Sequence, residues 1–196
     1  MEAIKNGKDK YSKERKLNWL KSKLKLNPQT NRYDYDGSLY TDVIRNTISE
    51  DKDGFIINFG KVTGNFNCSE LGLVSLKGAP TEVGGDFNCS WNQLTFLEGV
   101  PQTVGGGFDC SDNKLTSLKG APQTVGRYFD CSGNHLTSLE GAPQEVGWKF
   151  DCTNNQLTSL KGAPQTVGRT FDCRSNPNLH SLEGIGEIRG KIYKDF

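Results

Sequence analysis

Histidine, methionine and net charge are all in short supply in this 196-residue sequence. There are two histidines and one methionine, and 24 Lys plus Arg stand against 23 Asp plus Glu, leaving +1. So balanced a chain is not a uniform polyelectrolyte. No run of 18 or more apolar residues occurs, which excludes a hydrophobic membrane-spanning helix. The lysine-rich first thirty residues hold no continuous apolar stretch of signal-peptide length, so no membrane span and no secretory leader are expected. His135 and His180 lie at variable loop positions without a nucleophile signature beside them, and the Gly-Gly and Gly-Gly-Gly runs at Gly84 and Gly105 follow a repeat instead of forming a phosphate loop; no enzyme and no cofactor are expected. Apolar residues make up only 34% of the chain while 23 are glycine. A thick conventional core would be hard to fill.

What is present is a period. The six cysteines, Cys68, Cys89, Cys110, Cys131, Cys152 and Cys173, are each 21 residues from the next, and each sits in the same phrase, as in Phe108-Asp-Cys-Ser-Asp-Asn-Lys-Leu115-Thr-Ser-Leu118-Lys-Gly120-Ala-Pro122. A unit this short cannot enclose its own core, so neighbours must stack and share one apolar column. Phe-x-Cys has the in-out-in alternation of a short strand, and two leucines supply the next inward corner. The Asn three residues after each Cys, from Asn92 to Asn176, falls at a turn where its side chain can bond main-chain groups along the stack. Gly99, Gly120, Gly141 and Gly162, each followed two residues later by proline, exclude a long helix on the returning side, which is expected to be extended or 3₁₀.

The spacing resembles the leucine-rich repeat, with Phe87, Cys89, Asn92 and Leu94 in the last four places of its L-x-x-L-x-L-x-x-N-x-L core and Gly84 departing at the first. Leu-Thr-Ser-Leu-x-x-x-Pro is similar to the short repeats of secreted bacterial effectors with one residue added. Repeat arrays of large tailed phages are similar too, and the head segment from Asn27 to Gly37 is like the start of some of those. The resemblance implies a leucine-rich-repeat-like solenoid, a parallel β coil of six 21-residue repeats, and a role in binding other molecules. It implies no particular partner, because a repeat scaffold carries whatever its exposed positions are tuned to bind.

Three regions are expected: a basic helix with an irregular cap over residues 1–61, the solenoid over 62–185, and a C-terminal cap over 186–196. Residues 1–32 hold ten Lys/Arg and three Asp/Glu, whereas residues 33–196 hold 14 and 20, so the near-neutral total hides a dipolar molecule. From Ser12 to Leu26, Leu17, Leu20 and Leu24 recur at helical spacing among lysines, and Asn27-Pro28 ends the pattern; this amphipathic helix is expected to cap the first coil. Phe55-Ile-Ile-Asn-Phe59 reads as a strand. Leu71 stands where the other repeats have Asn, as though that face of the first repeat meets protein. Ile185, Ile188, Ile192 and Tyr193 suggest a closing strand or turn.

The cysteines lack the close pairs of a zinc site, and side chains stacked in parallel make poor disulfide geometry, so a ladder of buried thiols in a reducing compartment is expected, with no metal. That places the protein in a cytoplasm, the host cytosol if it is phage-encoded. The outward position between Phe and Cys reads Asn67, Asn88, Asp109, Asp130, Asp151, Asp172, four carboxylates in a row. Either neighbouring cations such as Lys149 relieve them or they await a basic partner. Beside them the framework's glycines give way to Arg127-Tyr128, Trp148-Lys149 and Arg169-Thr170, and Trp91 stands where other copies have small or polar residues. By alternation Tyr128 and Lys149 face outward with the acidic column, whereas Arg127, Trp148 and Arg169 have inward parity and fall in the turn leading to the strand. Trp, Tyr and Arg dominate binding hot spots. The expected function is noncatalytic protein binding through Trp91, Asp109, Arg127, Tyr128, Asp130, Trp148, Lys149, Asp151 and Arg169, with inhibition of a host defence factor if the phage likeness holds. The alternative is nucleic-acid binding by the head through Lys13, Lys16, Lys21, Lys23 and Lys25, with Trp19 or Tyr11 as a stacking group.

Overall fold

The computed structural model describes residues 2–196, with side chains from Lys13 onward. Each 21-residue phrase forms one coil, and the coils stack in register into a parallel β-solenoid of about six turns with an N-terminal helix. One side of every coil is a Phe-Asx strand. These pair in parallel from Phe66–Asn67 through Phe87–Asn88, Phe108–Asp109, Tyr128–Asp130, Lys149–Asp151 and Thr170–Asp172 to Lys191–Tyr193, with Phe129 opposite Phe150 and Asp130 opposite Asp151. A second side is a ladder of two-residue strands, Glu82–Val83, Thr103–Val104, Thr124–Val125, Glu145–Val146 and Thr166–Val167, closed by Glu187–Ile188. The departure from the repeat consensus at Val83-Gly84 therefore marks the end of a second strand. The third side, Leu-Thr-Ser-Leu, has no strand of its own and returns through the Gly-x-Pro turn.

The interior is a set of columns. Phe, Cys, Val and both leucines of each coil are buried, with Leu182 and Ile188 at the C-terminal end half-buried. The rings of Phe66, Phe87, Phe108, Phe129, Phe150 and Phe171 stack at 5.3–5.6 Å between centroids and 5–14° between planes, within the offset-stacking range. The Asn ladder behaves as the spacing predicts. Asn113 donates from Nδ2 to the carbonyls of Cys89, Cys110 and Ser111, while its Oδ1 accepts the N–H of Leu94, so one side chain serves two coils. Between the two sheets the chain turns so tightly that a Cβ on Gly126, Gly147 or Gly168 would overlap the carbonyl oxygen 21 residues earlier; only glycine fits there.

The N-terminal cap differs from expectation in two places. Helix α1 (Glu2–Lys23) buries Leu20 completely, packs Leu17 against the same core, as does Leu24 just past its end, and rests on α2 (Thr41–Ile44) and the 3₁₀ turn Arg45–Thr47. It stops before Leu26, however. Lys25–Asn27 is strand β1, antiparallel to β2 (Arg32–Tyr35), and the hairpin turns at Asn27, whose Oδ1 accepts the N–H groups of Gln29 and Thr30. This hairpin covers the edge of the Val ladder, giving its outer strand main-chain partners in place of water. Second, residues 55–58 are not a strand; β3 starts at the end of the expected one, Phe59–Val62. The N–H of Phe55 bonds the carbonyl of Lys77 and that of Phe59 bonds Gly78, so this apolar run occupies the place of the later Leu-x-Gly-x-Pro turn. Phe55, Phe59 and Phe66 meet edge to face there.

Residues 33–39 form part of a further coil. Tyr35 pairs with Val62 and Leu39 with Phe66, each 27 residues apart where later coils repeat at 21. The surplus lies in the α2 and 3₁₀ excursion, which carries Ile44 and Ile48 under α1. Leu71 is buried, lining with Ile48, Lys13 and Arg45 the cleft between cap and first repeat. At the other end Ile188 and Ile192 keep the register of Val167 and Phe171, so the Val ladder runs on to Ile188 and the Phe-Asx ladder to Tyr193. No helix among the described residues is long and apolar enough to cross a membrane.

Candidate partner-binding face

The Phe-Asx sheet and the corner leading into it gather most of the singled-out residues. Arg127, Trp148 and Arg169 are all exposed, in the bend and off the strand, so their position in the turn outweighs their nominal parity. They form one stack: the guanidinium of Arg127 lies 4.6 Å from the Trp148 ring centre on one side and that of Arg169 lies 5.2 Å away on the other. The coil spacing creates this. Three consecutive coils place the same position directly above one another, and an indole between two guanidinium planes is a cation–π sandwich. Arg127 also approaches Asp86 at 3.9 Å, and Asp86 in turn accepts the N–H of Gly107.

Tyr128 and Lys149 are register partners on the sheet. The Tyr128 ring lies over the bare backbone of Gly107, where it would collide with any Cβ, and is half-buried as a result. Its hydroxyl is pushed up to about 12 by that burial and by the carboxylates of Asp86, Asp109 and Asp130. Lys149 reaches Asp151 at 2.6 Å.

The acidic column is more structural than its sequence suggests. In each coil one oxygen of the outward Asn or Asp accepts the main-chain N–H two residues on, and usually a hydroxyl as well: Ser111 bonds Asp109, and Ser132 bonds Asp130. The Asn/Asp-Cys-Ser phrase is thus a side-chain-capped turn, readable from the Ser that follows four of the six cysteines. The second oxygen distinguishes the coils. That of Asp109 accepts from Asn88, that of Asp151 meets Lys149, and that of Asp172 meets Arg174 at 2.8 Å, while none of these side-chain partners reaches the second oxygen of Asp130. Burial, reinforced by Asp151 and Asp109, pushes the Asp130 carboxyl up to about 6 against the pull of its Ser132 hydrogen bonds. Burial also works to raise Asp172, but the hydrogen bonds and charge of Arg174 hold it below the ordinary carboxylate range. Arg174, which also stacks on Tyr193 at 5.1 Å, was signalled by its place in the Ser/Thr column.

Trp91 stands apart at the opposite corner, 63% exposed. Its column, Glu70, Trp91, Asp112, Gly133, Asn154, Ser175, adopts left-handed backbone throughout, with φ between 51 and 63°. Glycine and asparagine suit that region, whereas a bulky residue there is an outlier. Nothing in the packing requires an indole.

All six thiols are free and buried, and each donates its S–H to the carbonyl of the next coil. Burial raises every one, Cys173 to about 11, which leaves them poor nucleophiles. Lys13, Lys16, Lys21, Lys23 and Lys25 are exposed beside half-exposed Trp19; the side chain of Tyr11 lies outside the described residues. No group of three or more His, Cys, Asp or Glu side chains among the described residues is placed to hold a metal ion. No family model matches this chain, and no curated protein or solved structure matches it either.

Proposed function

We propose that this protein is a noncatalytic protein-binding module whose Phe-Asx sheet, with the Arg127–Trp148–Arg169 corner, grips a partner protein. The observation that carries the reading is that stack: a large aromatic and two arginines, exposed and mutually ordered on a rigid framework, are the residue types that dominate binding energy. Tyr128, Lys149 and the carboxylates of Asp109, Asp130 and Asp151 extend the face, and Trp91 provides a second exposed indole held in an unfavourable backbone conformation. The leucine-rich-repeat and phage likenesses of the sequence give the partner a class: a host cytosolic protein, part of a defence system, which this chain occupies and blocks. Removing the side chains of Trp91, Tyr128, Trp148 and Lys149 together abolishes capture of that partner from host lysate and leaves the thermal unfolding curve nearly unchanged. Undiminished capture by the fourfold variant refutes the assignment of the face.

A second reading rests on the head, where the exposed lysines of α1 surround Trp19. A nucleic acid bound there loses affinity steeply with salt, since each neutralised phosphate releases counterions. Titration against random RNA and duplex DNA at two salt concentrations, with the intact protein and with Lys16 and Lys21 changed to Gln, decides between the readings.

A further inference from the structure

The corner at the far end of the Leu-Thr-Ser-Leu side carries an ordered charge pattern. The residue before the turn glycine reads Lys77, Glu98, Lys119, Glu140, Lys161 and Glu183 in successive coils, a strict alternation of sign kept even across the extra residue near Pro177. All six are exposed. Neighbouring coils are about 4.8 Å apart, close enough for every adjacent pair to join. Only Lys161 and Glu140 do, at 2.7 Å; Lys77, Glu98, Lys119 and Glu183 have no ion-pair partner within 4 Å among the described residues.

A column that alternates over an even number of positions is its own complement when reversed. A two-fold axis between Lys119 and Glu140, perpendicular to the stack, sets Lys119 against Glu140 of a second copy, Glu98 against its Lys161 and Lys77 against its Glu183, each pairing occurring twice. That is the self-complementarity an isologous interface requires. One apolar side chain on the same side breaks the framework in the same sense. The position two residues before each charge is serine in five coils, Ser75, Ser117, Ser138, Ser159 and Ser181, but Phe96 in the sixth, where the ring is 47% exposed and lines a groove with Thr95, Glu98 and Lys119. The axis that brings Glu98 to Lys161 of the second copy brings Phe96 to a matching groove lined by Thr158, Ser159, Lys161 and Ser181.

We infer that the Lys77–Glu183 charge column, with Phe96 as its apolar anchor, is a homodimer interface in which a second copy of this chain docks antiparallel about a two-fold axis. The interface lies away from the Phe-Asx face and does not depend on what that face binds.

Alternation also relieves like-charge stacking within a single copy, and a pair of reversals separates the two roles. Sedimentation equilibrium over a concentration series finds the unaltered protein dimerising, more weakly as salt rises. Glu140→Lys alone, or Lys119→Glu alone, opposes like charges twice across the axis and raises the dimer dissociation constant about tenfold or more. The double variant restores every pairing between copies. Within each copy it does the opposite, setting a carboxylate at position 119 beside Glu98 and an ammonium at position 140 beside Lys161, so an interface role alone predicts that it regains the dimer. Phe96→Ser, which installs the residue the other five coils carry, weakens dimerisation without altering the unfolding temperature. A protein that stays monomeric throughout overturns the inference. So do single reversals that leave dimerisation intact, or a folded double variant that fails to recover it.

Discussion

The first three repeats and the three that follow share one interior and differ on the outside. Phe87 and Phe150 are equally buried, their rings stack on neighbours at nearly the same distance, and their Cys, Asn and Leu companions make the same bonds. Outside, the early copies show Asn67 and Asn88 before the strand column turns acidic at Asp109, with Gly85-Asp86 and Gly106-Gly107 at the corner; the later ones show only aspartates in the column and Arg127-Tyr128, Trp148-Lys149 and Arg169-Thr170 at the corner. Since Asn and Asp cap the same turn, and glycine serves the same corner, folding requires neither change. What differs between the two groups is therefore the part available to selection for binding.

That comparison can be broken most directly in the shared interior. Phe87→Ala and Phe150→Ala each cost about 3–5 kcal/mol in chemical denaturation, and by equal amounts, because each opens a cavity in the same column; a large inequality between them ends the claim of a common framework. Next in size is Asn113→Ala, which leaves the buried Leu94 N–H without its acceptor and takes one of two donors from the carbonyls of Cys89, Cys110 and Ser111, at a cost of about 1–3 kcal/mol in the same measurement. Its exposed neighbour Lys114, changed to Ala, shifts stability by no more than about 0.5 kcal/mol.

Smaller effects sharpen the outside. Asp130 has a folded pKa of about 6, above its unfolded value, so the native state binds the proton more tightly and stability falls as pH rises from the unfolded pKa through 6. Asp130→Asn, which installs the residue found at Asn67 and Asn88, stabilises the protein by about 1–2 kcal/mol at a pH of about 7.5. The gain all but vanishes at a pH of about 3, where both states are largely protonated; denaturant titrations at the two pH values test it, and an equal gain at both would refute the coupling. Trp91→Gly relieves the left-handed backbone strain and raises stability by about 1 kcal/mol. If it also weakens partner capture, the indole is kept against the interest of the fold.

Much of this was legible because the period is strict. Phe, Cys and two leucines at fixed offsets from one another can share an interior only by stacking, and the Asn three residues after Cys had nowhere to turn but along the stack. The head was harder. Tyr35 and Leu39 hold the places of Val and Phe in a further coil, but the excursion through α2 lengthens that coil to 27 residues and erases the phase. The helix was expected to reach Leu26, two residues past the last leucine at helical spacing, yet the free edge of β2 draws residues 25–27 into a strand, a tertiary demand no local pattern records. The acidic column was legible in part: Lys149 beside Asp151 could be read from the sequence, whereas the capping of each turn by one oxygen of Asp109 and Asp130 was signalled only by the Ser two residues on. The Arg127–Trp148–Arg169 stack was visible only as three unusual residues, since parity along a strand says nothing about a bend.

The thiol ladder gives the protein a built-in gauge of its own integrity. One masked sulfur sits in every repeat, joined to the carbonyl of the repeat above, so a sulfur becomes reactive toward an alkylating reagent when its own coil parts from the next. Timed labelling read by mass spectrometry at six evenly spaced addresses would chart the order in which the column unzips, without any foreign probe.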